Sequence, residues 1–152
     1  MQTRRDTLRQ GALVTGVLAA GSLLPQQVLA FNKAAFDGKQ MPDAPKALGV
    51  TGQLTESKDV TLTAPDIAEN GAVVPMTVAT TLPNVKEMLL MVEKNPSPLV
   101  AMFKVSPEVE ANFATRSKMG QSSDVYAVAI TTDGKALYAK KEVKVTLGGC
   151  GG

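Results

Sequence analysis

Short apolar runs that alternate with turn residues occupy the chain from Lys58 onward. The runs are rich in valine, threonine and other residues that favour strands, and glycine, proline, asparagine and aspartate separate them. The seven runs cover residues 59–64, 72–80, 85–93, 98–105, 112–119, 125–132 and 135–147. Seven short strands at this spacing predict an all-β fold, an antiparallel β-sandwich of about seven strands.

The last predicted strand alternates in polarity. Val143, Val145 and Leu147 are separated by charged or polar neighbours. Successive side chains of a strand point to opposite faces of its sheet. The pattern therefore predicts that these three residues form a buried face and their neighbours a solvent-exposed one.

Predicted strand 85–93 departs from this alternation, because both of its faces are apolar. The two apolar sets are Val85, Leu89 and Met91 on one face and Met88, Leu90 and Val92 on the other. Two explanations remain open: a central strand between two packed layers, or a face covered by a partner subunit. The second explanation makes Met88 and Leu90 candidates for a partner surface.

The segments between the strands carry turn signals. The pairs Asn70-Gly71 and Asp133-Gly134 accept positive φ, and the second is short enough to join the last two strands as a hairpin. Ahead of the strands, residues 31–49 contain Gly38, Pro42 and Pro45. They predict a short helical turn and a loop.

The first 30 residues have the order of an export signal. A basic start precedes an apolar run of 14 residues at 11–24 and a small-residue end at Ala30; the run is too short for a membrane span. Adjacent Arg4 and Arg5 resemble the twin-arginine signature of bacterial folded-protein export, although Thr7 stands where that signature prefers phenylalanine. An ordinary secretory signal is the alternative. Both interpretations place the mature chain outside the cytoplasm, and the twin-arginine route predicts the periplasm.

Charge and composition exclude several classes of function. The signal contains Arg4, Arg5 and Arg9 against Asp6, which leaves 13 basic and 13 acidic residues in the mature chain. A neutral chain argues against nucleic acid or an anionic membrane as the main partner. The sequence has no histidine, so it lacks the usual base of hydrolases and the usual ligand of metal sites. We therefore expect no metal and no cofactor, and any chemistry falls to the single cysteine, Cys150.

Cys150 lies in a glycine-rich C-terminus. Gly148, Gly149, Gly151 and Gly152 flank it, and they predict a flexible arm with a reach on the order of 17 Å from the last strand. A thiol mounted in this way can enter a narrow pocket of another protein, which is typical of a carrier and not of an enzyme. The alternatives are an incidental cysteine and a disulfide to another chain. Three lysines shortly before the arm, Lys140, Lys141 and Lys144, either attract an anion to the thiol or form a solvated face.

Three stretches of the sequence carry a family resemblance. They are APDIAENGAVVPMTV (64–78), EKNPSPLVAMF (93–103) and the ending EVKVTLGGCGG (142–152). Together with the twin-arginine-type signal they resemble the SoxY family, the sulfur-carrier subunits of the bacterial Sox thiosulfate-oxidising system. The resemblance implies an immunoglobulin-like β-sandwich over residues 31–147, after a signal at 1–30 and before an arm at 148–152.

The resemblance also implies a chemistry and a set of partners. Cys150 would carry sulfur intermediates covalently, first as an S-thiosulfonate and then as a persulfide. A SoxZ-like subunit would form a heterodimer with the chain. A SoxAX-type cytochrome would load the thiol, a SoxB-type hydrolase would release sulfate, and in some organisms a sulfane dehydrogenase would oxidise the remaining sulfur. The chain itself would be a non-catalytic carrier.

Three other functions compete with this interpretation. An exported interaction protein would use Cys150 for one permanent disulfide to a partner. A thiocarboxylate sulfur carrier would use the terminal Gly151-Gly152 pair, but export away from ATP and the absence of a clear ubiquitin-like helix argue against it. A thiol peroxidase would need a base or a resolving cysteine, and the sequence supplies neither.

Overall fold

A computed structural model describes residues 32–147 of the chain. Within this range the fold has two short helices and nine strands. The elements are α1 (Lys33–Asp37), α2 (Asp43–Ala47), β1 (Thr55–Glu56), β2 (Val60–Thr63), β3 (Ile67–Ala68), β4 (Val74–Thr80), β5 (Val85–Val92), β6 (Leu99–Lys104), β7 (Asn112–Ser117), β8 (Ser123–Thr131) and β9 (Ala136–Val145). The expected all-β sandwich is confirmed. The strand count exceeds the expected seven because β1 and β3, of two residues each, carry no alternating pattern that sequence can show.

Two sheets form the sandwich. The larger has the order β1-β9-β8-β5-β6, with β3 paired to β9, and the smaller has the order β2-β4-β7. β5 pairs antiparallel with both β6 and β8, and β8 pairs antiparallel with β9. The two short strands β1 and β3 are exceptions, since each runs parallel to β9. No helix within residues 32–147 is long and apolar enough to cross a membrane.

Strand β5 is buried on both faces by its own chain. Met88 and Leu90 have no exposed surface and pack in the core between the two sheets. Leu89 and Met91 point the other way and pack against a second apolar cluster that includes Ala35 of α1. The hypothesis that Met88 and Leu90 form a partner surface is therefore wrong. The central-strand explanation is right, because the sheet is covered by a second sheet on one side and by helices on the other.

The segment before the strands supplies this second cover. The sequence predicted one helical turn and a loop, whereas the structure has two helices that pack on the β5 and β8 side chains. Asn32 caps α1, since its side-chain oxygen accepts a hydrogen bond from the Ala35 amide at 3.1 Å. Gly49 has φ +86° just after α2, a conformation that favours glycine. The Ser97 hydroxyl donates to the Phe36 carbonyl and so joins α1 to the β5–β6 connection.

The hairpin between β8 and β9 uses the predicted Asp133-Gly134 pair. Gly134 has φ +83°, as the turn requires. The other pair behaves differently: Gly71 is not among the residues with positive φ, and the Asn70 side chain instead accepts a hydrogen bond from the Ala72 amide at 2.8 Å. A residue that the sequence did not single out for positive φ, Asn84, has φ +59°.

The Asp133 carboxylate gives this hairpin a dependence on pH. Hydrogen bonds from Lys135 and then from Thr131 hold its pKa at about 2, below the ordinary value of 3.8. A depressed pKa adds stability above the unfolded-state pKa, and this stability is lost as pH falls through the folded-state pKa. We expect Asp133→Asn to lower the melting temperature at neutral pH, with the difference from wild type shrinking between about pH 4 and pH 2. Thermal melts across that range check this, and a difference independent of pH would contradict it.

Candidate functional site

The residues that the sequence singled out for carrier chemistry lie outside the described range. They are Cys150 with Gly148, Gly149, Gly151 and Gly152, and the signal arginines Arg4 and Arg5. Their predicted roles, and the predicted boundaries at residues 30 and 147, stay predictions. The described residues contain the base of the arm, which ends at Leu147.

The chain leading to the arm is held by backbone pairing. β3 pairs in parallel with the end of β9, with Ile67 opposite Lys144 and Ala68 opposite Val145. The Thr146 amide donates to the Ala68 carbonyl at 3.1 Å. One residue later, the Leu147 carbonyl accepts a hydrogen bond from the Gly71 amide at 2.8 Å. The backbone is therefore anchored through Leu147, the last residue before the glycines.

The loop that holds Leu147 is itself joined to the core. The Gly71 carbonyl accepts a hydrogen bond from the Met119 amide at 2.7 Å, and Met119 has no exposed surface. On the other side of β9, the Ser122 hydroxyl accepts a hydrogen bond from the Val145 amide at 2.9 Å. The base of the arm is thus part of the folded domain, because hydrogen bonds reach it from two separate loops.

Leu147 corrects one expectation from the sequence. Val143 is fully buried, as the alternation predicted, but the Leu147 side chain is 70% exposed. Strand β9 ends at Val145, so Leu147 lies beyond the strand whose alternation the prediction extended to it. An exposed leucine therefore stands directly beside the arm.

Two of the three lysines near the arm are paired. Lys141 donates to the Asp66 carboxylate at 2.9 Å and to the Ala64 carbonyl at 2.6 Å. The Lys140 ammonium lies 3.5 Å from the Asp124 carboxylate. Electrostatic interaction with Tyr126, and to a smaller extent with Asp124, raises the pKa of Lys140. Lys144 is exposed on the same strand. Because Lys140 and Lys141 pair with carboxylates on their own domain, the positive charge next to the arm is largely balanced.

Two of the stretches that carry the family resemblance meet at this end of the domain. Residues 64–78 contain β3 and the loop whose Gly71 holds Leu147. Residues 93–103 begin with a connection whose Asn95 side chain donates to the Lys118 carbonyl at 2.9 Å, one residue before Met119. In the sequence, these stretches indicated only the resemblance to a family and not a shared location in the fold. Their position beside the arm is decided by long-range pairing, which no local pattern reveals.

A cavity of about 380 Å³ lies at the opposite end of the sandwich. It is lined by the residues around Leu82, Val85 and Val105 and by the exposed Val109. This end is separated from the arm by the length of β8, about 25 Å for nine residues. Within residues 32–147, no three carboxylates or other metal-ligating side chains come together to form a metal site.

Comparison with known proteins identifies the family. The family model described as "Sulfur oxidation protein SoxY" matches residues 45–150. The chain belongs to the SoxY family. The sulfur carrier protein SoxY from Chlorobium limicola f thiosulfatophilum has 36% identity and a TM-score of 0.64, with 71% of this chain and 97% of that chain covered. No significant match is found among curated proteins.

A more distant structural likeness shows the fold alone. Superoxide reductase (neelaredoxin) from Ignicoccus hospitalis has 16% identity and a TM-score of 0.51, with 57% of this chain and 79% of that chain covered. The SoxY-family domain therefore shares its sandwich architecture with proteins of different chemistry, and its function must be argued from its own residues.

Proposed function

We propose that this SoxY-family chain carries sulfur intermediates covalently on Cys150 and presents them to the enzymes of a sulfur-oxidising system. The observation that supports this most is the anchoring of Leu147 immediately before a cysteine flanked only by glycines. The family match, which extends to residue 150, and the 36% identical sulfur carrier support the same role. The chain supplies the attachment point, and its partners supply catalysis.

The loading step forms one sulfur–sulfur bond. The Cys150 thiolate joins the outer sulfur of thiosulfate to give a cysteine S-thiosulfonate, and two electrons pass to an oxidant, for which we propose a SoxAX-type cytochrome. A thiolate is required because it is the nucleophilic form of cysteine. Nothing in residues 32–147 takes part as base or ligand in this proposal, and the reacting sulfur enters the partner's site.

The unloading step breaks the bond between the outer sulfur and the sulfonate group. Water attacks the sulfonate sulfur, so that sulfate and two protons leave and a persulfide stays on Cys150. A SoxB-type hydrolase is the proposed catalyst. Where a sulfane dehydrogenase is present, water supplies the oxygen atoms that convert the remaining outer sulfur to a sulfonate, and the electrons and protons released pass to the acceptor of that enzyme and to solvent. A second hydrolysis then releases sulfate and regenerates the thiol.

The proposal includes an assembly and a location. We propose that the chain pairs with a SoxZ-like subunit and works in the periplasm after export by the twin-arginine signal at Arg4 and Arg5. Folded export would let the two subunits assemble before they leave the cytoplasm. Both points rest on the sequence and on the family.

Mass spectrometry tests the carrier function directly. We expect mature protein purified without reductant from thiosulfate-fed cells to have added sulfur and thiosulfonate, and Cys150→Ala to remove every addition. The alanine variant is matched, because the substitution lies beyond the anchored residues and leaves the domain intact. A bare thiol in the wild type would reject the proposal. A single fixed disulfide to one partner would instead support the exported interaction protein.

A further inference from the structure

Exposed apolar side chains concentrate at the base of the arm. Four large apolar residues are exposed within residues 32–147: Ile67, Val73, Val109 and Leu147. Scattered apolar residues are ordinary on a protein surface, so the number of these four residues does not indicate a binding site. Their positions are informative, because three of the four lie next to the hydrogen bonds that hold residues 144–147.

Backbone contacts define this grouping. Ile67 stands opposite Lys144 in the β3–β9 pair, between the two carbonyls that bind the Lys144 and Thr146 amides. Val73 follows two residues after Gly71, which binds the Leu147 carbonyl. We name Ile67, Val73 and Leu147 the collar. Their side chains are 58%, 55% and 70% exposed.

The anchored backbone limits where a partner of the thiol can be. Cys150 is three residues beyond Leu147, so its α-carbon lies within about 11 Å of the Leu147 α-carbon even when the chain is fully extended. A protein that takes the thiol into a pocket must therefore bring the rim of that pocket to the base of the arm. Surface that lies next to Leu147 is then covered in every such complex.

We propose that the collar is the docking surface for the enzymes that act on the Cys150 adduct, and that it binds an apolar rim around the entrance of their active sites. The inference rests on the proposed carrier function, because that function is what requires a pocket to receive the thiol. The occupant is an enzyme of this class, since the length and position of the arm bring its active-site entrance to these three residues.

The charges around the collar explain why the contact is apolar. Lys141 is paired with the Asp66 carboxylate, and Lys144 stands opposite Ile67, the residue that follows Asp66 in the chain. Mixed charges of this kind give no long-range attraction of one sign. Three exposed side chains form a small contact, which suits a carrier that must leave each enzyme after one reaction. We therefore expect docking that is weak and nearly independent of salt.

The test measures how an enzyme uses the loaded carrier as its substrate. Thiosulfonate-loaded wild-type protein and the variants Leu147→Ser, Ile67→Ser and Val73→Ser are given to the sulfate-releasing hydrolase from the same organism, and sulfate release is followed against carrier concentration. We expect each variant to raise KM about three- to tenfold with kcat unchanged. Val109→Ser is the matched control, because it removes an exposed valine at the far end of the domain, and its KM should equal that of the wild type.

Each outcome decides a specific claim. Leu147→Ser lies beyond the last strand at an exposed position, so its result stands even if a substitution in β3 lowers the melting temperature. Normal loading with a wild-type KM in all three collar variants overturns the collar alone. An equal rise in KM for Val109→Ser also overturns it. Absence of any Cys150 adduct in the wild type overturns the carrier function, and the collar with it.

Discussion

Replacing Leu90 with aspartate is expected to unfold the domain. Leu90 has no exposed surface and lies in the core between the two sheets. The substitution loses the burial of a leucine side chain, about 2–5 kcal/mol, and places an unpaired carboxylate in an apolar core. A domain of this size is stable by only about 5–15 kcal/mol. The combined cost therefore removes most or all of that stability.

Urea denaturation followed by circular dichroism measures this effect. Thr61→Asp is the control, because Thr61 is an exposed residue on β2 and a carboxylate there remains in water. We expect the control to unfold at nearly the wild-type urea concentration and Leu90→Asp to show no folding transition. A folded Leu90→Asp protein that had lost only its partner subunit would contradict the structure and would return strand β5 to the surface.

Removing the helical layer is expected to have the second-largest effect. A chain that begins at Thr51 lacks α1, α2 and Val50, which cover one face of β5 and β8. Four fully buried side chains lose their cover: Leu89, Met91, Val128 and Ile130. Each contributes about 1.5–3 kcal/mol when buried, so partial exposure of all four costs several kcal/mol.

A chain that begins at Phe31 is the matched control, since it lacks only the predicted signal at 1–30 and keeps both helices. We expect it to unfold cooperatively, and the chain from Thr51 to aggregate or to bind a dye that detects exposed apolar surface. Equal stability of the two chains would show that the helices are not part of the core. All of α1, the loop after it and the start of α2 lie ahead of residues 45–150, the segment that the family model matches, so this experiment also asks how much of the fold depends on residues outside that segment.

The strands could be located from the sequence where polarity alternates or where β-branched residues cluster. Seven of the nine strands, including β8 and β9 with their Asp133-Gly134 hairpin, overlap the predicted runs, although β8 begins at Ser123, ahead of the predicted start at 125. Strand β5 was located correctly, but the sequence did not show that α1 and α2 cover one of its faces. An apolar face shows that a covering layer is needed but not which segment supplies it, and the helices that cover Leu89 lie far earlier in the chain, at Lys33–Asp37 and Asp43–Ala47.

Face assignments failed where the backbone is irregular. Val85 was placed on the same face as Leu89, but it packs in the core with Met88, because the pairing with β8 shifts register between Val85 and Glu87. Alternation assumes a regular strand, and a bulge reverses it. The same limit applies to the site. Cys150 and its glycines were visible as a motif, whereas the exposure of Leu147 follows the end of β9 at Val145, which the alternation did not show.

The pairing of β9 has a mechanical consequence. β9 is hydrogen-bonded to β8 from Ala136 to Val143, and its last residues are also paired with β3. Under the proposed function, an enzyme that held Cys150 would pull β9 from its C-terminal end, and the hydrogen bonds between the strands lie across the direction of β9. Such a force loads many bonds in shear at once, whereas a peeling force would break them one at a time. The pairing of β9 with β8 and β3 would therefore resist such a pulling force, and the sheet would stay folded while the thiol is held.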